Sequence, residues 1–274
     1  YIYASAKNGL KGAAIEFPSI SVGATENAIL AAVSAVGRTV VSNCAIEPEI
    51  QDMIVLLKKM GCNINFIGKR KILIIGTKDF RSVSHKIIFD RIELGTYLIA
   101  AALAGKKVIF FKIKPKIIGT EIKLLKKMGV RMKVEKNKIT ILESFRLNRA
   151  NIKTKPYPGF PTDLQAQMMV LMLRASGTSK ITENIFENRF MHVPELRRMG
   201  AKIITKKNVA LISGPSKLSG AEVMATDLRA SVSLVLAALI AENRTVINRV
   251  YHLDRGYENL EKKLKKCNAA INRV

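Results

Sequence analysis

The segment from Tyr157 to Gln167 places a carboxylate, Asp163, at the start of a predicted helix. Two prolines and a glycine keep this segment out of a helix until Thr162 and Asp163, where the apolar run 164–173 begins. The first turn of a helix offers unpaired N–H groups and a partial positive charge, which stabilise a carboxylate or the phosphate of a ligand. Asp163 is therefore either a simple helix cap or part of a ligand site.

Arg229 is a second residue whose position suggests chemistry. It lies in the first turn of a predicted helix, where the helix dipole disfavours a cation, so it predicts an anionic ligand or a buried acidic partner. Polar groups precede all four apolar helices, and we expect these four N-termini to point toward a common region. The groups are residues 21–27, 90–93, 162–163 and 226–229.

These helices belong to an internal repeat of about seventy residues. A basic-basic-apolar phrase recurs with its apolar positions 68, 71 and 68 residues apart, at Met60, Met128, Met199 and Cys267. Each repeat reads as helix, strand, helix, strand, strand. The first helix of each repeat is apolar nearly all round, which predicts burial on every side, at residues 28–36, 96–104, 164–175 and 228–241. Gly61, Gly129 and Gly200 are predicted to end the second helix in left-handed conformation.

With 274 residues, the chain is long enough for two cores. No apolar run approaches the roughly 18 residues of a membrane span. Three cysteines and no recognisable leader favour the cytoplasm over a disulfide-rich secreted protein. The net charge of +25 would suit nucleic acid, but the lysines are spread over amphipathic helices and aromatic residues make up only 6%. We therefore expect neither a membrane nor a nucleic acid as partner, although a basic nucleic-acid-binding repeat protein stays open as an alternative.

Seven motifs in order resemble the enolpyruvyl transferase family, and within it the branch that uses UDP-N-acetylglucosamine. They span the chain and are residues 21–27 (SVGATEN), 47–50 (EPEI), 90–96 (DRIELGT), 160–167 (FPTDLQAQ), 187–196 (ENRFMHVPEL), 225–231 (ATDLRAS) and 251–258 (YHLDRGYE). The resemblance implies an inside-out α/β barrel in which six repeats bury their helices behind outer sheets. Four of the six repeats are present, which would leave helices such as 28–36 partly exposed.

The resemblance also implies a domain organisation. Residues 1–88 would form an incomplete UDP-sugar-side domain and residues 89–274 a catalytic domain without its N-terminal strand. The family's early lysine-asparagine segment and its cysteine loop have no counterpart here. They would precede this chain in the same protein or be supplied by a separate N-terminal chain.

The implied reaction transfers the enolpyruvyl group of phosphoenolpyruvate to the 3′-hydroxyl of UDP-N-acetylglucosamine and releases phosphate, the first committed step of peptidoglycan synthesis. No metal and no cofactor is implied. Without the lysine segment and the cysteine loop, the chain would be inactive alone. An alternative is a remnant that binds the UDP-sugar without turnover.

The resemblance assigns four catalytic residues. Asp163 would handle the proton of the sugar hydroxyl, and Arg255 and Arg229 would hold phosphoenolpyruvate with Asp227 beside the anion. A planar guanidinium suits this task because it forms paired hydrogen bonds with carboxylate or phosphate and stays charged. A surface ion pair between Arg255 and Asp254 is the simpler reading of Arg255, and a helix cap is the simpler reading of Asp227.

Substrate-binding roles follow from the same motifs. Ser21, Val22 and Gly23 resemble a diphosphate-binding turn, in which backbone N–H groups face the phosphates at a helix start. The remaining assignments are Glu47 and Asp90 near the sugar and the hinge, Ile185 as a backbone contact to the N-acetylglucosamine, and Arg189 as an arginine of the cleft. His192 and His252 lie within motifs, but hydrogen-bonded structural roles are the expected ones.

Overall fold

The computed structural model describes residue 1 and residues 3–274, with the backbone alone at residue 230. The chain divides into two compact units. Unit 1 comprises Tyr1–Ile88 and Pro156–Pro158, and unit 2 comprises Phe89–Lys155 and Gly159–Val274. Across the described residues, no helix combines the length and the apolar character that crossing a bilayer requires.

Unit 1 is one sheet covered by two helices. Its elements in chain order are β1 (Ala14–Glu16), α1 (Val22–Ala32), β2 (Arg38–Ser42), α2 (Pro48–Lys59), β3 (Asn63–Gly68) and β4 (Lys71–Ile75). The strand order is β1-β2-β4-β3, with β1 parallel to β2 and the other pairs antiparallel. Helix α1 therefore forms the crossover between two parallel strands, which places its N-terminus after the carboxyl end of β1.

A short distant segment completes unit 1. The backbone N–H of Tyr157 donates to Glu47 Oε1 at 3.2 Å, and its carbonyl accepts from Arg70 at 2.6 Å. Arg70 also donates to the Cys44 carbonyl at 3.1 Å. Pro156–Pro158 is thus fixed by residues far away in the sequence.

Unit 2 contains the other three repeats. The first two supply α3 (Arg91–Ala104), β5 (Lys107–Phe111), α4 (Gly119–Lys127), β6 (Met132–Glu135), β7 (Lys138–Leu142), β8 (Leu147–Asn148), β9 (Asn151–Lys153), α5 (Gln165–Met172), β10 (Ala175–Thr182), α6 (Val193–Arg198), β11 (Lys202–Lys206) and β12 (Val209–Gly214). The last supplies β13 (Glu222–Met224), α7 (Leu228–Ala238), β14 (Val246–Asn248) and α8 (Leu260–Lys266). Three 3₁₀ helices lie between them, at Pro115–Ile118, Thr162–Leu164 and Val250–Arg255.

Three sheets surround the long helices of unit 2. Their strand orders are β5-β7-β6, β11-β12-β10-β8 with β9 also paired to β10, and β13-β14. The predicted α/β class is confirmed. Within the described residues the three sheets stay separate, and no closed barrel is formed.

The apolar helices of unit 2 are buried, whereas α1 of unit 1 is partly exposed. All eight residues of α5 are buried, and α3 is buried over most of its length. Gly95 of α3 permits this packing, because a Cβ there would lie 2.4 Å from a methyl carbon of Leu164. In α1 only Thr25, Ile29 and Ala32 are buried, and Leu30 is 52% exposed. Helix α1 packs on α2, β2 and β4 with one face, which is the partial exposure expected for helix 28–36 and not burial on every side.

The repeat itself is confirmed. The first three repeats follow the order helix, strand, helix, strand, strand, and the fourth has no described strand after α8. Gly61, Gly129 and Gly200 have φ of 101°, 90° and 94°, as predicted for left-handed caps. Asn268 takes the same position in the fourth repeat with φ of 67°, which asparagine tolerates better than most residues.

Several predicted boundaries were wrong. Helices α1 and α3 begin about five residues earlier than expected, because Ser21 and Asp90 cap them and the polar residues that follow lie inside the first turns. The third apolar helix ends at Met172, where β10 follows after a two-residue turn.

Candidate active site

Asp163 lies in the 3₁₀ helix before α5, with its carboxylate pointing at two arginines. Its Oδ1 accepts from Arg229 Nε at 2.7 Å and lies 2.7 Å from a terminal nitrogen of the same guanidinium. Arg189 donates to the same oxygen at 3.4 Å. The second oxygen, Oδ2, has no hydrogen-bond partner among the described residues, and the Asp163 side chain is 29% exposed. One oxygen is therefore held while the other stays accessible.

The interpretation of Asp163 as a helix cap is wrong. Helix α5 begins two residues later, and Pro161 precedes the 3₁₀ helix without a side-chain cap. The Asp163 carboxylate makes no hydrogen bond to the start of α5 in the described structure. Its geometry is set by the arginines instead.

Arg229 is positioned by the first turn of α7. Asp227 Oδ1 accepts from the Arg229 backbone N–H at 2.7 Å, so Asp227 caps the helix, which is the simpler of its two predicted roles. Burial alone would lower the pKa of the Arg229 guanidinium, but hydrogen bonding to Asp163 and the charge of that carboxylate outweigh it and raise the pKa. Arg229 has the acidic partner that its position predicts, and two of the four helix starts that were expected to converge, those of α5 and α7, meet here.

Arg189 and Ile185 lie on the loop after β10. The Arg189 guanidinium stacks over the Phe186 ring at 4.3 Å from its centroid, a cation–π contact that orients it toward Asp163. The Ile185 backbone N–H is held by the carboxylate of Glu183 at 2.9 Å. The structure thus brings four predicted residues together in unit 2: Asp163, Arg189, Asp227 and Arg229.

A buried polar network supports this cluster from inside. Gln167 Nε2 donates to the Asp163 carbonyl at 2.9 Å and to Thr96 Oγ1 at 3.1 Å, and it lies 3.3 Å from the Tyr257 hydroxyl. Thr96 and Tyr257 are joined at 2.8 Å. Burial raises the pKa of Tyr257 to about 12, against the lowering effect of these hydrogen bonds. The phenol therefore stays neutral.

Sequence reasoning missed this network. The available signal was a glutamine and a threonine inside helices that are otherwise apolar, because a buried polar group needs a partner. That signal predicts that a partner exists without identifying it.

Arg255 and Asp90 are not joined to the arginine cluster. Arg255 is exposed at the end of the 3₁₀ helix Val250–Arg255, and no ion pair or hydrogen bond ties it to the cluster in the described structure. Its alternative partner, Asp254, pairs instead with Arg273 at 2.6 Å. Asp90 caps α3 by accepting from the Ile92 and Glu93 N–H groups at 2.7 and 3.2 Å.

The predicted diphosphate turn opens α1 in unit 1. Ser21 Oγ accepts from the Ala24 N–H at 3.2 Å and caps the helix. Gly23 is exposed, and a Cβ built on it would meet no atom within 4 Å. The first turn of α1 is therefore open on the side of Gly23.

Glu47 is the buried acid of unit 1. Its Oε1 holds the Tyr157 N–H, whereas Oε2 is buried without a hydrogen-bond partner in the described structure. Burial raises the pKa of Glu26, and the charges of Glu49 and Glu47 raise it further. This end of unit 1 is thus acidic and has an unused buried acceptor.

His192 precedes α6 and is buried with no hydrogen-bond partner for Nε2 in the described structure. The predicted hydrogen bond of this histidine was therefore wrong for Nε2. Burial lowers the pKa of His192 to about 4, although the charge of Asp227 acts in the opposite direction. The imidazole is neutral at pH 7.

This shift predicts a pH-dependent stability. Below pH 6.5 the unfolded chain binds a proton at His192 that the folded chain does not bind until about pH 4, so stability falls as pH falls through this window. We expect the free energy of unfolding to drop more steeply with falling pH in the wild type than in His192→Leu, by about 3 kcal/mol over the window. Urea unfolding between pH 4 and 7 measures it, and parallel curves would contradict the shift.

A family comparison covers nearly the whole chain. The model described as EPSP synthase (3-phosphoshikimate 1-carboxyvinyltransferase) matches residues 1–264.

Sequence relatives cover the whole chain as well. The chain is 58% identical over 274 residues to the UDP-N-acetylglucosamine 1-carboxyvinyltransferase of Pelagibacter ubique (strain HTCC1062), covering all of this chain and 66% of that protein. It is 50% identical over 275 residues to the protein of the same name from Caulobacter sp. (strain K31), covering 100% of this chain and 64% of that protein. The chain thus spans about two thirds of the length of these relatives.

Solved structures share the fold. The enolpyruvyl transferase NikO from Streptomyces tendae superposes with a TM-score of 0.86 at 30% identity, covering 91% of this chain and 60% of that one. An EPSP synthase from Acinetobacter baumannii superposes with a TM-score of 0.71 at 18% identity, covering 94% of this chain and 63% of that one. At that identity the second likeness indicates the fold alone.

Proposed function

Because this chain belongs to the EPSP synthase family, we propose that it takes part in enolpyruvyl transfer from phosphoenolpyruvate to the 3′-hydroxyl of UDP-N-acetylglucosamine. The reaction releases phosphate and would be the first committed step of peptidoglycan synthesis. The names of the relatives from Pelagibacter ubique and Caulobacter support the choice of sugar nucleotide. We place it in the cytoplasm, which agrees with the three cysteines being free.

The observation that carries the proposal is the Asp163 carboxylate with one oxygen held by arginine and the other accessible. Addition of the sugar hydroxyl to C2 of phosphoenolpyruvate requires an acceptor for the hydroxyl proton. Oδ2 of Asp163 is suited to that role, because the ion pair at Oδ1 fixes its direction. The Gln167 side chain also holds the backbone of Asp163, because its Nε2 donates to the Asp163 carbonyl.

Arginines around Asp163 would hold phosphoenolpyruvate. The molecule carries about three negative charges at neutral pH, and guanidinium groups in a half-buried site stabilise them and the charge that develops on the departing phosphate. Arg229 uses two nitrogens on Asp163 and keeps its third free of hydrogen bonds in the described structure. Arg255 is exposed and has no described ion pair, so it is available to an anion. Asp227 would act by orienting Arg229 through the helix cap.

The sugar nucleotide would be bound by the remaining predicted residues. Ser21, Val22 and Gly23 would face the diphosphate with the open first turn of α1. The unused oxygen of Glu47 would accept a hydroxyl. Ile185 would contact the N-acetyl group through its backbone, and the Asp90 cap would lie near the sugar and the hinge. Residues 1–88 then form the UDP-sugar side and residues 89–274 the catalytic side.

A further segment is part of this proposal, either within the same protein or as a separate N-terminal chain. It would supply the family's lysine segment and cysteine loop. Strand β5 pairs only with β7 among the described strands, whereas β2, β10 and β14 each have a parallel neighbour. A groove of about 1210 Å³ runs beside β5 and is lined by Val108, Ile109 and Phe110 and by Ile247 of β14. A strand parallel to β5 would fit the pattern of the other repeats.

Phosphate release from phosphoenolpyruvate tests the function. It is measured with and without UDP-N-acetylglucosamine, for this chain alone and with the part of the Pelagibacter ubique relative that this chain does not cover. We expect release that depends on the sugar nucleotide in at least one mixture. No sugar-dependent release in any mixture would overturn the proposal, and UDP-sugar binding without release would indicate a binding remnant.

A further inference from the structure

Glu183 is a buried carboxylate that none of the motifs singles out. It directly follows β10 and is only 2% exposed. No cation pairs with it among the described residues. Burying an unpaired carboxylate is costly unless hydrogen bonds replace its water, and here donors from three different segments do so.

One oxygen of Glu183 holds the loop after β10. Oε1 accepts from the N–H groups of Ile185 at 2.9 Å and Phe186 at 3.3 Å, and from Thr154 Oγ1 at 2.8 Å. Phe186 is the ring on which the Arg189 guanidinium stacks. This oxygen therefore fixes the loop that carries Ile185 and Arg189.

The other oxygen holds the segment of Asp163. Oε2 accepts from Thr162 Oγ1 at 2.9 Å, and Thr162 is the residue immediately before Asp163 in the 3₁₀ helix. A single planar carboxylate thus contacts both segments whose side chains meet in the Arg189 to Asp163 contact.

We propose that Glu183 is a positioning residue, which sets the placement of Asp163 relative to the loop of Ile185 and Arg189. Hydrogen bonds to an ionised acceptor are shorter and stronger than neutral ones, and a carboxylate is rigid. A buried acceptor shared by two segments therefore limits how far they can move apart, which keeps the reacting groups close to their productive geometry. This inference rests on the proposed function for its consequence in catalysis, but not for its structural part.

Glu183→Gln is the informative variant, because an amide keeps one acceptor oxygen and replaces the other by a donor. Three donors converge on Oε1 and one on Oε2, so the amide oxygen is expected to stay with Thr154, Ile185 and Phe186. The amide nitrogen then faces the Thr162 hydroxyl as a neutral donor, so the hydrogen bond from Thr162 to an ionised acceptor is lost. Thr162→Val removes the same link from the other side with nearly unchanged shape.

Ser179→Ala is the matched control. Ser179 is buried on β10, the strand that leads to Glu183, and its hydroxyl accepts from the Ala150 N–H at 3.2 Å. The variant removes a buried hydrogen bond of the same strand without touching Asp163, Arg189 or their segments.

The experiment measures amide hydrogen exchange and turnover in Glu183→Gln, in Thr162→Val, in the double variant Glu183→Gln/Thr162→Val and in the control Ser179→Ala. We expect exchange in residues 160–167 to be about tenfold faster in both single variants and unchanged in Ser179→Ala. Turnover is expected to fall about 10- to 100-fold in Glu183→Gln and in Thr162→Val, because small misplacements of reacting groups cost that much. The double variant should lose no more than either single variant, since both remove one interaction.

Two results would overturn the inference. One is an amide exchange rate in residues 160–167 of Glu183→Gln and Thr162→Val that is no faster than in Ser179→Ala. The other is a double variant whose losses multiply, which would mean that Glu183 and Thr162 act independently. If the wild type gives no sugar-dependent phosphate release in any mixture, the proposed function fails, and the exchange data still decide whether Glu183 holds the Asp163 segment.

Discussion

Asp163→Asn is expected to lower kcat about 10²- to 10⁴-fold, the range that a positioned proton acceptor contributes. Asparagine keeps the size of the side chain and can still accept from Arg229 and Arg189 through Oδ1. It cannot take the proton of the sugar hydroxyl. Because that loss is confined to the transition state, kcat and kcat/KM should fall together while KM for UDP-N-acetylglucosamine changes little. Steady-state kinetics with both substrates measures this, in the mixture of this chain and the further segment that gives sugar-dependent phosphate release.

Glu135→Gln serves as the control for Asp163→Asn. Glu135 on β6 is also a carboxylate held by two cations, Lys138 at 3.0 Å and Lys133 at 3.6 Å, but it belongs to a surface hairpin. Its substitution should leave turnover within about twofold, since surface pairs contribute little. A kcat of Asp163→Asn close to that of this control would show that Asp163 is not the proton acceptor.

Arg229→Lys is expected to lower kcat/KM for phosphoenolpyruvate about 10²- to 10³-fold, the loss typical of one missing donor to a developing anion. Lysine retains the charge but not the planar fork, so it cannot bind Oδ1 of Asp163 through two nitrogens and keep a third for the ligand. The loss should be larger for phosphoenolpyruvate than for the sugar nucleotide. Initial rates with each substrate varied in turn separate the two.

Arg273→Lys provides the same substitution outside the site. Arg273 pairs with Asp254 at 2.6 Å and lies 3.6 Å from Glu261 on the surface. We expect rates within about twofold of the wild type, and a stability change below about 1 kcal/mol. If Arg229→Lys behaved in the same way, the anion would have to be held by other groups.

Features encoded by neighbouring residues were predictable from the sequence. The left-handed glycines at the ends of the second helices follow from one recurring phrase, and the order of elements follows from the apolar pattern within each repeat. The cation in the first turn of α7 correctly indicated an acidic partner, because the helix dipole makes an unpaired arginine unfavourable there. Each of these features depends on residues that are close in sequence, and in a repeat protein the same local pattern occurs several times.

The pairing of side chains was not predictable in the same way. Asp163 meets Arg229 across 66 residues, and Thr96 meets Tyr257 across 161. Neither separation leaves a trace in sequence periodicity, so Asp163 could be taken for a cap. Glu183 was missed for the same reason, since a glutamate at the end of a strand usually faces solvent. The residues that hold the candidate site together are identified only once the fold brings distant segments into contact.

The three residues Pro156–Pro158 determine when unit 1 can finish folding during synthesis. Unit 1 closes when Tyr157 binds Glu47, 110 residues earlier, and Arg70, 87 residues earlier. At roughly 5 to 20 residues per second, a ribosome makes Tyr157 about 5 to 20 seconds after Glu47. Closing a loop of that length costs about 4 kcal/mol in chain entropy, which the intervening residues lessen as they fold. Unit 1, which precedes unit 2 in the chain, is therefore completed only after about a third of unit 2 has been made.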